Sequence, residues 1–154
     1  MSEREHARLV AHGAVVFLLG MASGFPFAFV ILGKIALWPF PTIDWTVPGD
    51  VRGWHMAHLE GILNAMMLFA IAAVGPRLTL TAGQHRLLVT SLLITAWGNQ
   101  IASMIGPLFG VRGLEAGAGF ANSLVFTLFM IAIVTVVIAF VLVYRGARAS
   151  MRAA

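Results

Sequence analysis

GAGFANSLVFTLFMIAIVTVVIAFVLVY, from Gly117 to Tyr144, contains no Asp, Glu, Lys, Arg or His. About 20 apolar residues in a helix cross the hydrocarbon core of a bilayer, and a helix is the form in which a single segment satisfies its own backbone there. Working outward, three more runs qualify. Trp54–Gly75 is ended by Pro76, Leu87–Val111 has Gly106–Pro107 near its end, and Leu9–Gly33 is free of formal charge, with Pro26 as an expected kink. The sequence therefore predicts an all-α integral membrane protein, a four-transmembrane-helix bundle with spans at 9–33, 54–75, 87–111 and 117–144, in a single membrane domain.

Composition agrees. Charged residues are 10% of the chain against 60% hydrophobic, where a soluble domain carries about 25% charged, so a water-facing surface cannot be built. The absence of Cys excludes disulfides, iron–sulfur clusters, thiolate zinc sites and covalent c-type haem. A cofactor would have to be held by His, Met, carboxylate or packing. The net charge of +4 comes from scattered basic residues without a dense run, which reads as membrane topology and excludes nucleic acid as a partner. The polar MSEREHAR start is followed by an apolar run too long for a signal peptide, so the first run is expected to be a retained helix.

The segment WPFPTIDWTVPGDVRG (Trp38–Gly53) reads as an ordered interfacial loop, with Trp38, Trp45 and Trp54 at headgroup depth. Pro76–Arg86 and Arg112–Ala116 are the other turns. Four spans place both termini on the side of the second connection, with Arg4, Arg8, Arg77, Arg86, Arg145, Arg148 and Arg152; the opposite side has Lys34, Arg52 and Arg112. The imbalance predicts cytoplasmic termini.

Polar groups inside apolar spans are costly and mark functional sites. The second run opens WHMAHLEG and continues to Asn64. At about 100° per residue, His55 and His58 lie about 60° apart, and Glu60 and Asn64 about 40° apart on a neighbouring face. The third run carries Ser91, Thr95, Asn99 and Ser103 at four-residue steps, with Gln100 beside them and Gly98, Ala102 and Gly106 as a small-residue face. The first adds His12–Gly13. Each has a structural reading. The Ser/Thr/Asn stripe can serve helix–helix hydrogen bonds, His55 can be solvated at the interface, His12 can be a packing histidine, and Met56, Met66, Met67 and Met104 can be filler. His58 and Glu60 lie deeper. From residue types alone, b-type haem binding, proton-coupled transport at Glu60 and a purely structural subunit all remain open.

VPGDVRGWHMAHLEGILNAMM (Val47–Met67) resembles the corresponding segment of the bacterial styrene oxide isomerases. The shared elements are Val47-Pro48-Gly49, Gly53-Trp54, Ala57-His58, Leu63-Asn64 and Met66-Met67, with Trp97 and Asn99 in AWGN and His12-Gly13 in the first span. The resemblance extends over most of the chain in length, layout and segment order. It implies a protein of the bacterial cytoplasmic membrane that holds haem b between subunits of a homotrimer. It also implies isomerisation of a small apolar epoxide to an aldehyde or ketone, a Meinwald rearrangement with ferric haem as Lewis acid. Carried over, His58 is the axial iron ligand, with His55 and Trp54 on the cofactor side. Asn64 faces the substrate and Asn99 lines its pocket. On helical geometry His55 and His58 are equally placed, and only the match to Ala57-His58 selects His58. The chain departs from the family at Ser103, where the family has an active-site Tyr, at Thr95, where it has Asp, and at Glu60, where it has a small residue. Ser103 or Glu60 then replaces the missing phenol in the catalytic set of Asn64 and Asn99, or the substrate differs. The alternatives are a non-enzymatic b-type haem protein for electron transfer or sensing, with His12 or a Met as second ligand to His58, and a small transporter built on Glu60.

Overall fold

The computed structural model describes residues 1–153. Its helices are α1 (Glu3–Leu32), α2 (Val51–Val74), α3 (Ala82–Phe109) and α4 (Phe120–Ala153), with a single 3-10 turn, Gly75–Arg77, after α2. All four are long and apolar enough to cross a membrane. Among the described residues there is no strand, only an isolated antiparallel bridge between Ile35 and Ile43.

The helix ends differ from the apolar runs because caps, not hydropathy, set them. Ser2 and Glu5 form a capping box that starts α1 at Glu3, six residues before the first apolar run. Asp50 accepts the Gly53 N–H and starts α2 at Val51. Thr81 and Gln84 form a second capping box that starts α3 at Ala82, five residues before the expected boundary. Conversely, α4 begins only at Phe120, since Gly117, Ala118 and Gly119 all have positive φ. At its far end α4 runs past Tyr144 because its last turns are docked. Gly146 packs against Leu78 and Leu80, and the Ser150 hydroxyl accepts the Thr79 N–H at 3.0 Å and lies 3.0 Å from the Arg77 carbonyl.

Neighbours in sequence are neighbours in space: α1 packs on α2, α2 on α3 and α3 on α4, with a smaller α1–α3 contact. Consequently α3 is the most buried helix, and α1 and α4 expose most surface. A core of Leu9, Val16, Leu68, Leu88, Leu92 and Ala139 fills the end that holds the termini. A smaller cluster of Val47, Trp54 and Ala57, packed with Phe27 and Met104, fills the loop end.

Between these clusters α1 and α2 touch backbone to backbone. A Cβ at Gly20 would sit 2.8 Å from Gly61 Cα, and one at Gly61 would collide with Gly20 and with the Gln100 side chain. Lipid tails give helices no hydrophobic reason to associate, so close packing at small residues takes over. Gly61→Val should therefore separate α1 from α2. Overpacking costs about 1–3 kcal/mol, and a lowered midpoint is expected in detergent thermal unfolding. Gly83→Ala, where a Cβ meets nothing within 4 Å, is expected to leave the midpoint unchanged or raise it.

Candidate functional site

The VPG and GW elements are parts of one joint. Gly49 has φ of 101°, and a Cβ there would meet the Pro107 carbonyl and Trp54 Nε1, each at 2.8 Å. A Cβ at Gly53 would meet Pro107 Cβ at 2.9 Å. The two glycines thus seat the loop and the first turn of α2 on the last turn of α3. Trp54 donates its indole N–H to the Pro48 carbonyl at 2.7 Å and is 4% exposed. Trp54 is an internal strut beneath the loop, and its polar edge is spent on Pro48. Trp38 and Trp45 remain exposed.

His58 faces α1. Its Nδ1 lies 2.8 Å from the Gly20 carbonyl oxygen. A carbonyl can only accept, so Nδ1 carries the proton and Nε2 keeps its lone pair. The ring rests over Gly24, where a Cβ would come within 3.1 Å of it. Phe27 stacks on His55 at 5.1 Å between centroids and on His58 at 6.4 Å. His55 is exposed and half-buried His58 is not, so the structure separates two residues that helical periodicity leaves equivalent. Gly20 and Gly24 were missed as site residues. They form a GxxxG spacing in α1, a signal for close helix approach.

His12 is arranged in the opposite sense. Its Nδ1 accepts the Trp97 indole N–H at 3.0 Å, which fixes α1 to α3. An indole can only donate, so the neutral ring of His12 has its proton on Nε2 and its lone pair in use.

The remaining candidates lie on the other side of α2. Glu60 and Asn64 are about 160° and 120° from His58 round the helix at about 100° per residue. Asn99 Nδ2 donates to Asn64 Oδ1 at 3.3 Å, and Asn64 Nδ2 donates to Glu60 Oε2 at 2.9 Å and to the Glu60 carbonyl at 2.8 Å. Thr95 is committed to α4, with its hydroxyl 2.8 Å from the Thr135 hydroxyl. Ser103 is 5% exposed, and its hydroxyl has no partner among the described residues. So the four-residue stripe divides: Thr95 ties helices together, Asn99 joins a polar ladder and Ser103 is uncommitted.

Two clefts flank Glu60. One, of about 280 Å³, is lined by Met56, Glu60, Ser103, Pro107, Val125 and Phe129 among others. The second, of about 230 Å³, is lined by Glu60, Asn64, Thr95, Asn99 and Val136 among others. The structure therefore brings Glu60, Asn64, Asn99 and Ser103 round adjoining spaces. His58, His55 and Trp54 line neither.

The sequence matches the styrene oxide isomerase family over residues 5–148. The chain belongs to that family. It is 26% identical over 110 residues to the styrene-oxide isomerase of Pseudomonas fluorescens, covering 71% of this chain and 65% of that protein. It is 26% identical over 106 residues to the hydroxylaminobenzene mutase HabB of Ectopseudomonas oleovorans, covering 69% of this chain and 54% of that protein. The chain thus spans less than two thirds of the length of either relative. The joint at Gly49, Gly53 and Trp54, the His58 anchor and the Asn64–Asn99 pair each have a defined place in this fold.

Hydrogen bonds between membrane helices contribute about 0.6 kcal/mol on average. A double-mutant cycle of Asn64→Ala and Asn99→Ala, read by denaturant unfolding in mixed micelles, is expected to give a coupling near that size. A coupling indistinguishable from zero would remove the ladder.

Proposed function

We propose that the protein is a haem-b-dependent isomerase of a bacterial cytoplasmic membrane, with both termini cytoplasmic, that rearranges a small apolar epoxide to a carbonyl compound. The observation that carries this reading is the bond from His58 Nδ1–H to the Gly20 carbonyl. A metal-ligating histidine needs its other ring nitrogen anchored in this way, which fixes both the tautomer and the ring plane. Among the described residues no three His, Cys, Asp or Glu side chains gather to hold a bare ion. A single anchored imidazole instead fits a metal whose remaining in-plane ligands come from a macrocycle, as in haem. His58 would hold the iron, with His55 and Phe27 beside it.

Bound there, ferric haem would supply a Lewis acid for the epoxide oxygen. The protein's own groups have separate tasks. Asn99 and Asn64 fix each other's carboxamides and so present oriented dipoles where charge develops on oxygen. Ser103, with an uncommitted hydroxyl, is the donor this chain offers in place of the family Tyr. The apolar walls keep out the water that would hydrolyse an epoxide to a diol. His58 and the Asn64–Asn99 groove face different ways in one chain, and this supports a homotrimer in which the α1–α2 face of one copy meets the groove of the next to complete the site.

Because His12 spends its lone pair on Trp97, it is a poor second iron ligand. That weighs against the electron carrier in which His12 and His58 would both hold the iron. One relative is named an isomerase and the other a mutase, which supports an intramolecular rearrangement without net redox change.

The test is an absorption spectrum of purified protein. A Soret band is expected in wild type and its loss in His58→Ala, with His55→Ala retaining it. Styrene oxide and related aryl epoxides are then expected to yield aldehyde or ketone, with His58→Ala reduced by about a hundredfold or more, the scale on which one well-placed electrostatic group acts. No Soret band in folded wild type sinks the haem reading, and no carbonyl product from any epoxide sinks the reaction.

A further inference from the structure

α3 packs against both α2 and α4, and the two clefts follow one another along the groove between those helices. They part at one level on all three. On α2, Met56 lines the cleft toward the loop end, and Leu63 and Met67 line the cleft toward the termini. On α3 the change falls between Ala102 and Asn99, and on α4 between Phe129 and Ala132. Each change takes less than one turn, about 4.5 Å of helix rise. Among the described residues, Glu60 alone lines both clefts.

The side chain at that level is held. Asn64 Nδ2 donates to Glu60 Oε2 at 2.9 Å, and Asn99 Nδ2 donates to Asn64 Oδ1 at 3.3 Å. The three side chains make a bar between α2 and α3. A carboxyl group keeps an acceptor oxygen in either protonation state, so the bar does not depend on charge.

We propose that Glu60 is a steric partition across one long groove, and that it limits the ligand to about one aromatic ring. This deepens the reading above by setting the length of the substrate. An apolar cavity of about 150 Å³ accepts benzene, and the clefts measure about 280 and 230 Å³. Two linked rings need about 300 Å³ on the same scale, more than either cleft has. The loop-end cleft also carries Asp50, Arg52 and Arg112, charges that an apolar ring avoids. A ring therefore settles among Met56, Val125 and Phe129, and a second ring joined to it has to cross the level of Glu60.

The experiment compares fluorobenzene with 4-fluorobiphenyl, neither of which has a hydrogen-bonding O–H or N–H, by ¹⁹F NMR titration of the purified protein in detergent. Protein-free micelles correct for partitioning. Wild type is expected to prefer the single ring by about tenfold, the scale of an overpacking penalty. Glu60→Gln, with the same shape and no charge, should keep the preference. Glu60→Ala, which joins the two clefts, should abolish it by admitting 4-fluorobiphenyl. Equal or tighter binding of 4-fluorobiphenyl by wild type overturns the proposal without recourse to any variant. An undiminished preference in folded Glu60→Ala overturns it too, and a preference lost in folded Glu60→Gln shows that charge rather than bulk sets it. Epoxide turnover is scored separately. A one-ring preference without turnover supports the partition and removes the isomerase reading. Turnover without the preference removes the partition and leaves the isomerase reading standing.

Discussion

The contact between Gly20 and Gly61 is the constraint on which the rest depends. With no side chain on either residue, two helix backbones meet, and His58, about one turn before Gly61 on α2, comes within reach of the Gly20 carbonyl. The packing and the tautomer of His58 are thus one fact seen twice. A larger residue at either glycine would push α1 away and leave the imidazole without its acceptor. Gly24, one turn further along α1, supplies the space in which the ring lies.

On the opposite side of α2 the same helix supplies a different chemistry. Glu60 and Asn64 join Asn99 of α3 in a ladder of one carboxyl and two amides, next to a serine with an uncommitted hydroxyl. Because α2 lies between α1 and α3, its two polar faces are kept apart within a chain. The proposed homotrimer would bring one such face of a copy against the other face of the next.

The four helices were legible because a charge-free run of bilayer length has few alternatives; Gly117–Tyr144 alone fixes the class. Their ends were not, although Ser2–Glu5 and Thr81–Gln84 are capping boxes visible in the sequence. Hydropathy says nothing about polar residues that extend a helix into water. The positive φ at Ala118 could not be foreseen, since a lone alanine between glycines gives no sign of it. The partner of Trp54 was not legible, because only the folded loop reveals the Pro48 carbonyl that accepts its indole N–H. Within the candidate site, Glu60 and Asn64 were legible as neighbours from spacing alone. The distinction between His55 and His58 was not, because it depends on α1, a partner about 38 residues away in sequence.

The two internal imidazoles that hold α1 sit on opposite ends of their bonds. His58 of α2 reaches α1 with an N–H, which the Gly20 carbonyl accepts. His12 of α1 accepts the Trp97 indole N–H of α3 on its Nδ1. In both bonds α1 is the acceptor, so the first helix is fastened to the bundle by two clasps whose hooks belong to its neighbours and whose eyes are its own.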